Sequence, residues 1–307
     1  MNTGHTEVTA RGTGCAHGKV ILLGEHAVVH GAPALAAPLP VTPVIAHAYQ
    51  GVDQEHAHDA GFGAAIEAAL RLLGHESDGI ALEFTCTVPR GRGLGSSAAR
   101  LCAALRAVAA LFDETFDNRT LFELIQLGEQ YAHGRASGVD ARAVMSPVPL
   151  WFEHGRARPI AVGADLVVVV ADSGIIGSTR EAVAVVRRTV EQAPRRGRRL
   201  LDRVESLTRS AVRDLGTGDV CSLGEKLTSC HEVLGRLGVG LPVLDRLVGA
   251  ALDAGAAGAK LTGGGLGGCV LAIAEQDHSL RLDRALLSAG AVRTWRTTIE
   301  SGGHGMR

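Results

Sequence analysis

The stretch that most constrains this chain is Pro89 to Phe112, PRGRGLGSSAARLCAALRAVAALF. Alternate glycines, Gly91, Gly93 and Gly95, run into the paired serines Ser96 and Ser97, after which Leu101, Leu105, Val108 and Phe112 recur at helical spacing. The pattern predicts a loop, a cap and a helix. Glycine lets the backbone approach a ligand without a Cβ in the way, and the first turn of a helix offers unpaired N–H groups at the positive end of its dipole. Such a site suits a polyphosphate. A lone serine beside a glycine would signify only a capped helix. Three glycines with two serines point to a phosphate cradle.

Two common nucleotide loops are excluded. A GxxxxGK[ST] loop needs a lysine before the hydroxyl residue, and Gly95 stands there. A dinucleotide GxGxxG turn needs a third glycine where GRGLGSS has serine.

With 307 residues the chain is long enough for two domains, and its formal charge of −1 gives no basic excess that would point to nucleic acid. The six cysteines are scattered without a CxxC pair, which argues against a disulfide framework or zinc site and predicts reduced thiols in a cytoplasm. The polar N-terminal stretch lacks the apolar core of a signal peptide, and Leu166 to Val170 is too short to span a bilayer. No membrane partner is expected.

Along the chain, Val20 to Leu23 reads as a strand, followed by a turn and a second strand around Gly24-Glu25-His26-Ala27-Val28-Val29-His30-Gly31. Gly63 to Leu73 reads as a helix, Ile80 to Val88 as an alternating strand, and Thr120 to His133 as an amphipathic helix carrying Glu129 near its end. A turn through Ser137-Gly138-Val139-Asp140 follows. Leu166 to Ala171 reads as a buried strand opening a second domain, leading to Ser178-Thr179-Arg180 and a helix. Further helices are predicted over Leu200–Leu215, Leu223–Leu237 and Val243–Ala254. A second glycine-rich loop, Lys260-Leu261-Thr262-Gly263-Gly264-Gly265-Leu266-Gly267-Gly268, then precedes an apolar strand ending at Ala272.

Three of these stretches, PxGxGLGSSAA, GKVILLGEHAVVHG and KLTGGGLGG, resemble the motifs of the GHMP kinases and stand in that family's order. The AVVHG continuation resembles the mevalonate-phosphorylating branch more than the galactose-phosphorylating one. Asp140 follows Glu129 by eleven positions, the spacing that this branch keeps between a metal-ligand glutamate and a catalytic aspartate. Three positions depart from the pattern: His17 for a proline, Ala141 for an asparagine and Leu266 for a glycine.

The resemblance, which covers about Gly18 to Ala272, implies a two-domain α/β (α+β) fold. Residues 1–164 would form an ATP-binding N-terminal domain like domain 2 of ribosomal protein S5, and residues 165–307 a ferredoxin-like C-terminal domain. It implies ATP as co-substrate, Mg²⁺ as cofactor, and phosphorylation of the primary hydroxyl of mevalonate. Gly91, Gly93, Leu94, Gly95, Ser96, Ser97 and Ala98 would bind the phosphates, and Ser97 with Glu129 would hold the metal. Asp140 would be the base, with Lys19 stabilising charge. Lys19, Glu25, His26, Arg180, Gly263, Gly264 and Gly265 would face the substrate. Phosphorylation of phosphomevalonate or homoserine, decarboxylation of diphosphomevalonate on the same fold, and a catalytically silent binding module remain as alternatives. The oligomeric state, monomer or homodimer, is left open.

Overall fold

The computed structural model describes residues 10–50, 60–75, 79–133, 136–274 and 279–302. Gly134 and Arg135, which open the expected turn before Asp140, and residues 1–9 of the N-terminal stretch lie outside the described residues. The elements in chain order are β1 (Arg11–Leu23), a 3₁₀ turn (Ala27–His30), β2 (Ala34–Gln50), α1 (Ala60–Leu72), β3 (Ile80–Cys86) and α2 (Ser96–Leu111). Then come α3 (Asn118–His133), α4 (Val139–Met145), β4 (Leu150–Glu153), β5 (Arg156–Pro159), β6 (Leu166–Asp172), α5 (Thr179–Gln192) and α6 (Pro194–Thr217). The chain ends with α7 (Val220–Arg236), α8 (Pro242–Asp253), β7 (Gly258–Thr262), β8 (Cys269–Ala274), α9 (Ser279–Ser288) and β9 (Arg293–Ile299).

Two compact units emerge. One comprises Met1–Ala16, Pro43–Thr87 and Ser97–Ala136. In it the end of β2 pairs antiparallel with β3, from Val44 opposite Cys86 to Gln50 opposite Ile80. Helices α1, α2 and α3 complete this unit, and small residues keep them close. Gly61 on α1 and Gly128 on α3 face one another so tightly that a Cβ on either would press on the other's carbonyl oxygen. Helix α2 buries Leu101, Leu105 and Val108, as its spacing predicts.

The second unit comprises His17–Thr42, Val88–Ser96 and Ser137–Arg307. It contains a four-stranded antiparallel sheet in the order β7-β8-β6-β9. The two central strands, LVVVVAD and CVLAIA, are buried along their whole length, which is why they read as unbroken apolar runs without alternation. The chain order here is strand, helices, two strands, helix, strand, the ferredoxin-like β-α-β-β-α-β arrangement with extra helices α6, α7 and α8 in the first crossover. In the same unit the start of β2 pairs with β4. Ile21, Ala34, Ala36, Val139, Ala143, Leu150 and Phe152 pack there into one apolar cluster that seats α4.

Two local expectations change. The apolar pair Val28-Val29 lies in a 3₁₀ turn, and the second strand begins only at Ala34, because Gly24 and Gly31, at φ 108° and 91°, bracket a tight turn too short for a strand. The chain beyond Ala272, to which the sequence assigned no element, supplies α9 and the edge strand β9.

Candidate active site

Lys19 does not stand in water at a strand start. It lies inside β1, where the exposure pattern changes from alternation over Arg11–Ala16 to complete burial from Gly18 onward, and its side chain is 2% exposed. A buried ammonium needs partners. Nζ donates to the Gly93 carbonyl at 2.9 Å and pairs with Asp140 Oδ1 at 2.9 Å. Asp140 sits in the first turn of α4, whose start follows Gly138 at φ 94°. Its side chain is 41% exposed, so the lysine holds one side of the carboxylate and solvent reaches the rest. Ala141 beside it is fully buried in α4, where an asparagine would place a polar amide out of reach of water.

The glycine loop takes the form its sequence calls for. Gly91, Gly93 and Gly95 have φ between 67° and 75°, in the left-handed region, and the loop hands over to α2 at Ser96. Gly95 meets two demands at once: a Cβ there would come within 2.8 Å of Lys19 Cγ, in a backbone conformation that side chains rarely adopt. Leu94 and Ala98 are buried, so only their backbones are available to a ligand, and the Leu94 carbonyl is already bonded to Lys19 N–H.

Two strips far apart in sequence, around Gly177 and around Gly264, come together at this loop. Gly177 N–H bonds the Gly91 carbonyl at 2.9 Å, and the Gly268 N–H bonds the Ile175 carbonyl at 2.8 Å. A cavity of about 10 Å³ between the strips, lined by Gly93, Gly177, Thr179, Thr262, Gly264 and Gly265 among others, has room for one water-sized group. Arg92 is fixed by its Nε, which lies 2.8 and 3.0 Å from the two carboxylate oxygens of buried Asp172, and by Nη2, which donates to the Gly174 carbonyl at 3.0 Å. In the sequence Asp172 is marked only by its place at the end of a buried strand.

Glu25 and His26 are buried within this unit. Glu25 forms an ion pair with Lys260 on β7, and burial raises its carboxyl above the ordinary value against the pull of that ammonium. His26, at φ 62°, directs Nε2 to the Gly264 carbonyl at 2.8 Å. Burial lowers its imidazole to about 4, so it is neutral near pH 7 and donates from Nε2 to that carbonyl. Gly263 and Gly265 take φ near 80°, while Leu266 keeps its side chain at φ 56°. Arg180 is exposed in the first turn of α5, whose N-cap Ser178 accepts from Glu181 N–H, and the neighbouring Thr179 lines the small cavity. His17 lies within β1 rather than in a turn, its Nδ1 2.8 Å from the Gly18 carbonyl. In the other compact unit, Ser97 is exposed at the start of α2 and Glu129 is buried near the end of α3.

This fold and these motifs define a class. Models of the GHMP kinases N terminal domain and of the GHMP kinases C terminal match residues 62–146 and 210–291, and the chain belongs to the GHMP kinase family, with its mixed α/β fold. Within that family its similarity is to mevalonate kinases. The mevalonate kinase of Pyrococcus horikoshii is 33% identical, with 83% of this chain and 86% of that protein covered. A crystal structure of L. major mevalonate kinase in complex with R-mevalonate superposes with a TM-score of 0.81 at 28% identity, covering 96% of this chain and 98% of the other. The mevalonate kinase of methicillin-resistant Staphylococcus aureus MRSA252 superposes with a TM-score of 0.71 at 26% identity, covering 95% of this chain and all of the other.

Proposed function

We propose that this chain is an ATP-dependent kinase that phosphorylates the primary hydroxyl of mevalonate to give 5-phosphomevalonate. The observation that carries the proposal is Lys19, whose ammonium is fixed between the phosphate-loop carbonyl of Gly93 and the half-open carboxylate of Asp140. Phosphoryl transfer asks a protein chiefly for alignment and charge stabilisation. Asp140, held in place by Lys19, accepts the hydroxyl proton as the substrate oxygen bonds to the γ-phosphorus and the bond to the β-phosphate oxygen breaks, releasing ADP. Lys19 offsets charge on the transferring group. Backbone N–H groups from Gly91 to Ala98 hold the phosphates at the start of α2.

Ser97 and Glu129 fit Mg²⁺ by their chemistry: both are oxygen donors, one exposed and one buried, in the same compact unit. Such an ion relies on one or two protein oxygens together with water and phosphate. When bound, the ion neutralises charge between the β- and γ-phosphates.

The division at residues 164 and 165 is supported by the family-model matches, which fall on either side of it. Free thiols at all six cysteines fit a cytoplasmic setting, and no helix among the described residues is long and apolar enough to cross a membrane. Arg180 is the proposed carboxylate ligand, since a guanidinium grips a carboxylate through two parallel hydrogen bonds. ADP release measured against mevalonate, phosphomevalonate, homoserine and galactose tests the reading, and turnover confined to mevalonate is expected. Arg180→Ala should then raise KM for mevalonate by about 1.5–3 kcal/mol in binding terms with KM for ATP little changed. Equal mevalonate KM values in variant and parent would remove Arg180 from the site.

A further inference from the structure

Lys260 is wholly buried and lies outside the reactive group just described. Its ammonium pairs with Glu25 Oε1, donates to the Leu261 carbonyl at 2.6 Å and lies 3.5 Å from the Ile21 carbonyl. Two residues on, and so on the same face of β7, Thr262 Oγ1 accepts from Ile21 N–H at 3.0 Å and donates to the Ile21 carbonyl at 3.1 Å. Two residues further, the Gly264 carbonyl takes the His26 bond. The end of β1 and the Gly-Glu-His turn are thus joined to β7 and its glycine loop at three successive levels. That loop in turn leans on the phosphate loop, backbone against backbone: a Cβ on Gly263 would come within 2.8 Å of Gly93 Cα. Gly93 is the residue whose carbonyl holds Lys19.

We infer that Lys260 is a positioning residue for phosphoryl transfer. Its ion pair with Glu25 fixes the height of the 263–268 loop against Gly93, and through Gly93 it fixes where the Lys19 ammonium stands beside Asp140. Glu25 serves as the other half of this tie rather than as a substrate ligand. The arrangement suits that task because both partners are buried. A buried ion pair tolerates little displacement, since movement would leave a charge without a partner in a dry interior. Geometry at a reacting centre is correspondingly sensitive, and a displacement of about 1 Å can cost roughly 10²-fold in rate.

This inference rests on the kinase reading, and its test separates the two. Lys260→Met, assayed well below its own melting temperature, should lose at least about tenfold in kcat with mevalonate. The double variant Glu25→Leu with Lys260→Met replaces the pair by apolar side chains and should regain the melting temperature without regaining kcat. Hydrogen exchange at the Leu266 and Gly268 amides, bonded to the Val239 and Ile175 carbonyls, should quicken in Lys260→Met and in the double variant. Parental exchange rates in both, kcat within twofold of the parent in Lys260→Met, or turnover that returns with the melting temperature in the double variant would each overturn the positioning role. A parent chain that releases no ADP with mevalonate would instead defeat the kinase reading, and the exchange rates would still decide whether Lys260 holds the loop.

Discussion

Two lysine–carboxylate pairs of the same compact unit, Lys19 with Asp140 and Lys260 with Glu25, differ in one respect that separates chemistry from architecture. In the pair of Lys19 and Asp140 the ammonium is buried and the carboxylate is 41% exposed. In the pair of Lys260 and Glu25 both partners are shut away from water. A half-open carboxylate can receive a proton from a substrate. A closed one can only hold structure, and it costs desolvation to keep. The same residue types therefore serve opposite ends, and exposure of the acid decides which.

The sharpest way to break this comparison is at Asp140. Asp140→Asn removes a base and a charge at nearly constant volume, so turnover should fall about 10²- to 10⁴-fold. The buried Lys19 ammonium loses its counter-charge but keeps the amide oxygen and the Gly93 carbonyl as acceptors, so turnover should suffer far more than folding. A variant that keeps near-parental kcat would show that the open pair is as passive as the closed one.

Next in size is the stability contrast. Lys260→Met leaves Glu25 buried without its cation and should cost about 3–5 kcal/mol of unfolding free energy. Lys19→Met leaves Asp140 facing solvent and loses one bond to Gly93, for about 1 kcal/mol. Urea unfolding of the two variants measures the difference. Equal losses would mean that exposure of the acid is not what distinguishes the pairs.

How much of this was legible beforehand follows from the range of each interaction. The phosphate loop and α2 were readable because glycine spacing and helical periodicity are local signals, and Lys19 and Asp140 were singled out as partners through motif resemblance. The tie between Glu25 and Lys260 was not, because 235 residues separate them and neither lies in a pattern that encodes its partner. Glu25 and His26 read as polar groups for a substrate, whereas their bonds run to Lys260 and Gly264. Asp140 read as part of a turn, since the seven residues of α4 are too few to show a period. The strips through Gly177 and Gly264 carry no local signal of what they pack against, and only the fold brings them to the phosphate loop.

The closed region should also govern the response to acid. Burial lowers His26 from 6.5 to about 4, so between these values the unfolded chain binds a proton that the folded chain refuses. Its contribution is whole above pH 6.5 and is lost as pH falls toward 4, a change on the order of 3 kcal/mol. His231, likewise lowered by burial, acts in the same direction. Glu25 opposes them, because a raised carboxyl takes its proton sooner in the folded state and so favours folding as pH falls. Unfolding free energies of the parent and of His26→Gln from pH 7.5 to 4 should show a shallower decline in the variant. Parallel curves would mean that His26 is not the group refusing the proton.

The smallest expected effect lies in the other compact unit, at the proposed metal ligands. Glu129→Gln keeps an oxygen but removes a charge from a buried position, whereas Ser97→Ala removes an exposed hydroxyl that water can replace. A hard divalent ion responds more to the lost charge. The Mg²⁺ concentration for half-maximal rate should therefore rise more in Glu129→Gln than in Ser97→Ala, with about 1 kcal/mol, or roughly fivefold, expected for the serine. Neither change touches Lys19, Asp140, Glu25 or Lys260, so the Asp140→Asn defect in either background should persist at saturating Mg²⁺. Unchanged Mg²⁺ dependence in both variants would place the ion elsewhere, and a larger effect at Ser97 would show that the exposed donor, rather than the buried carboxylate, carries the metal.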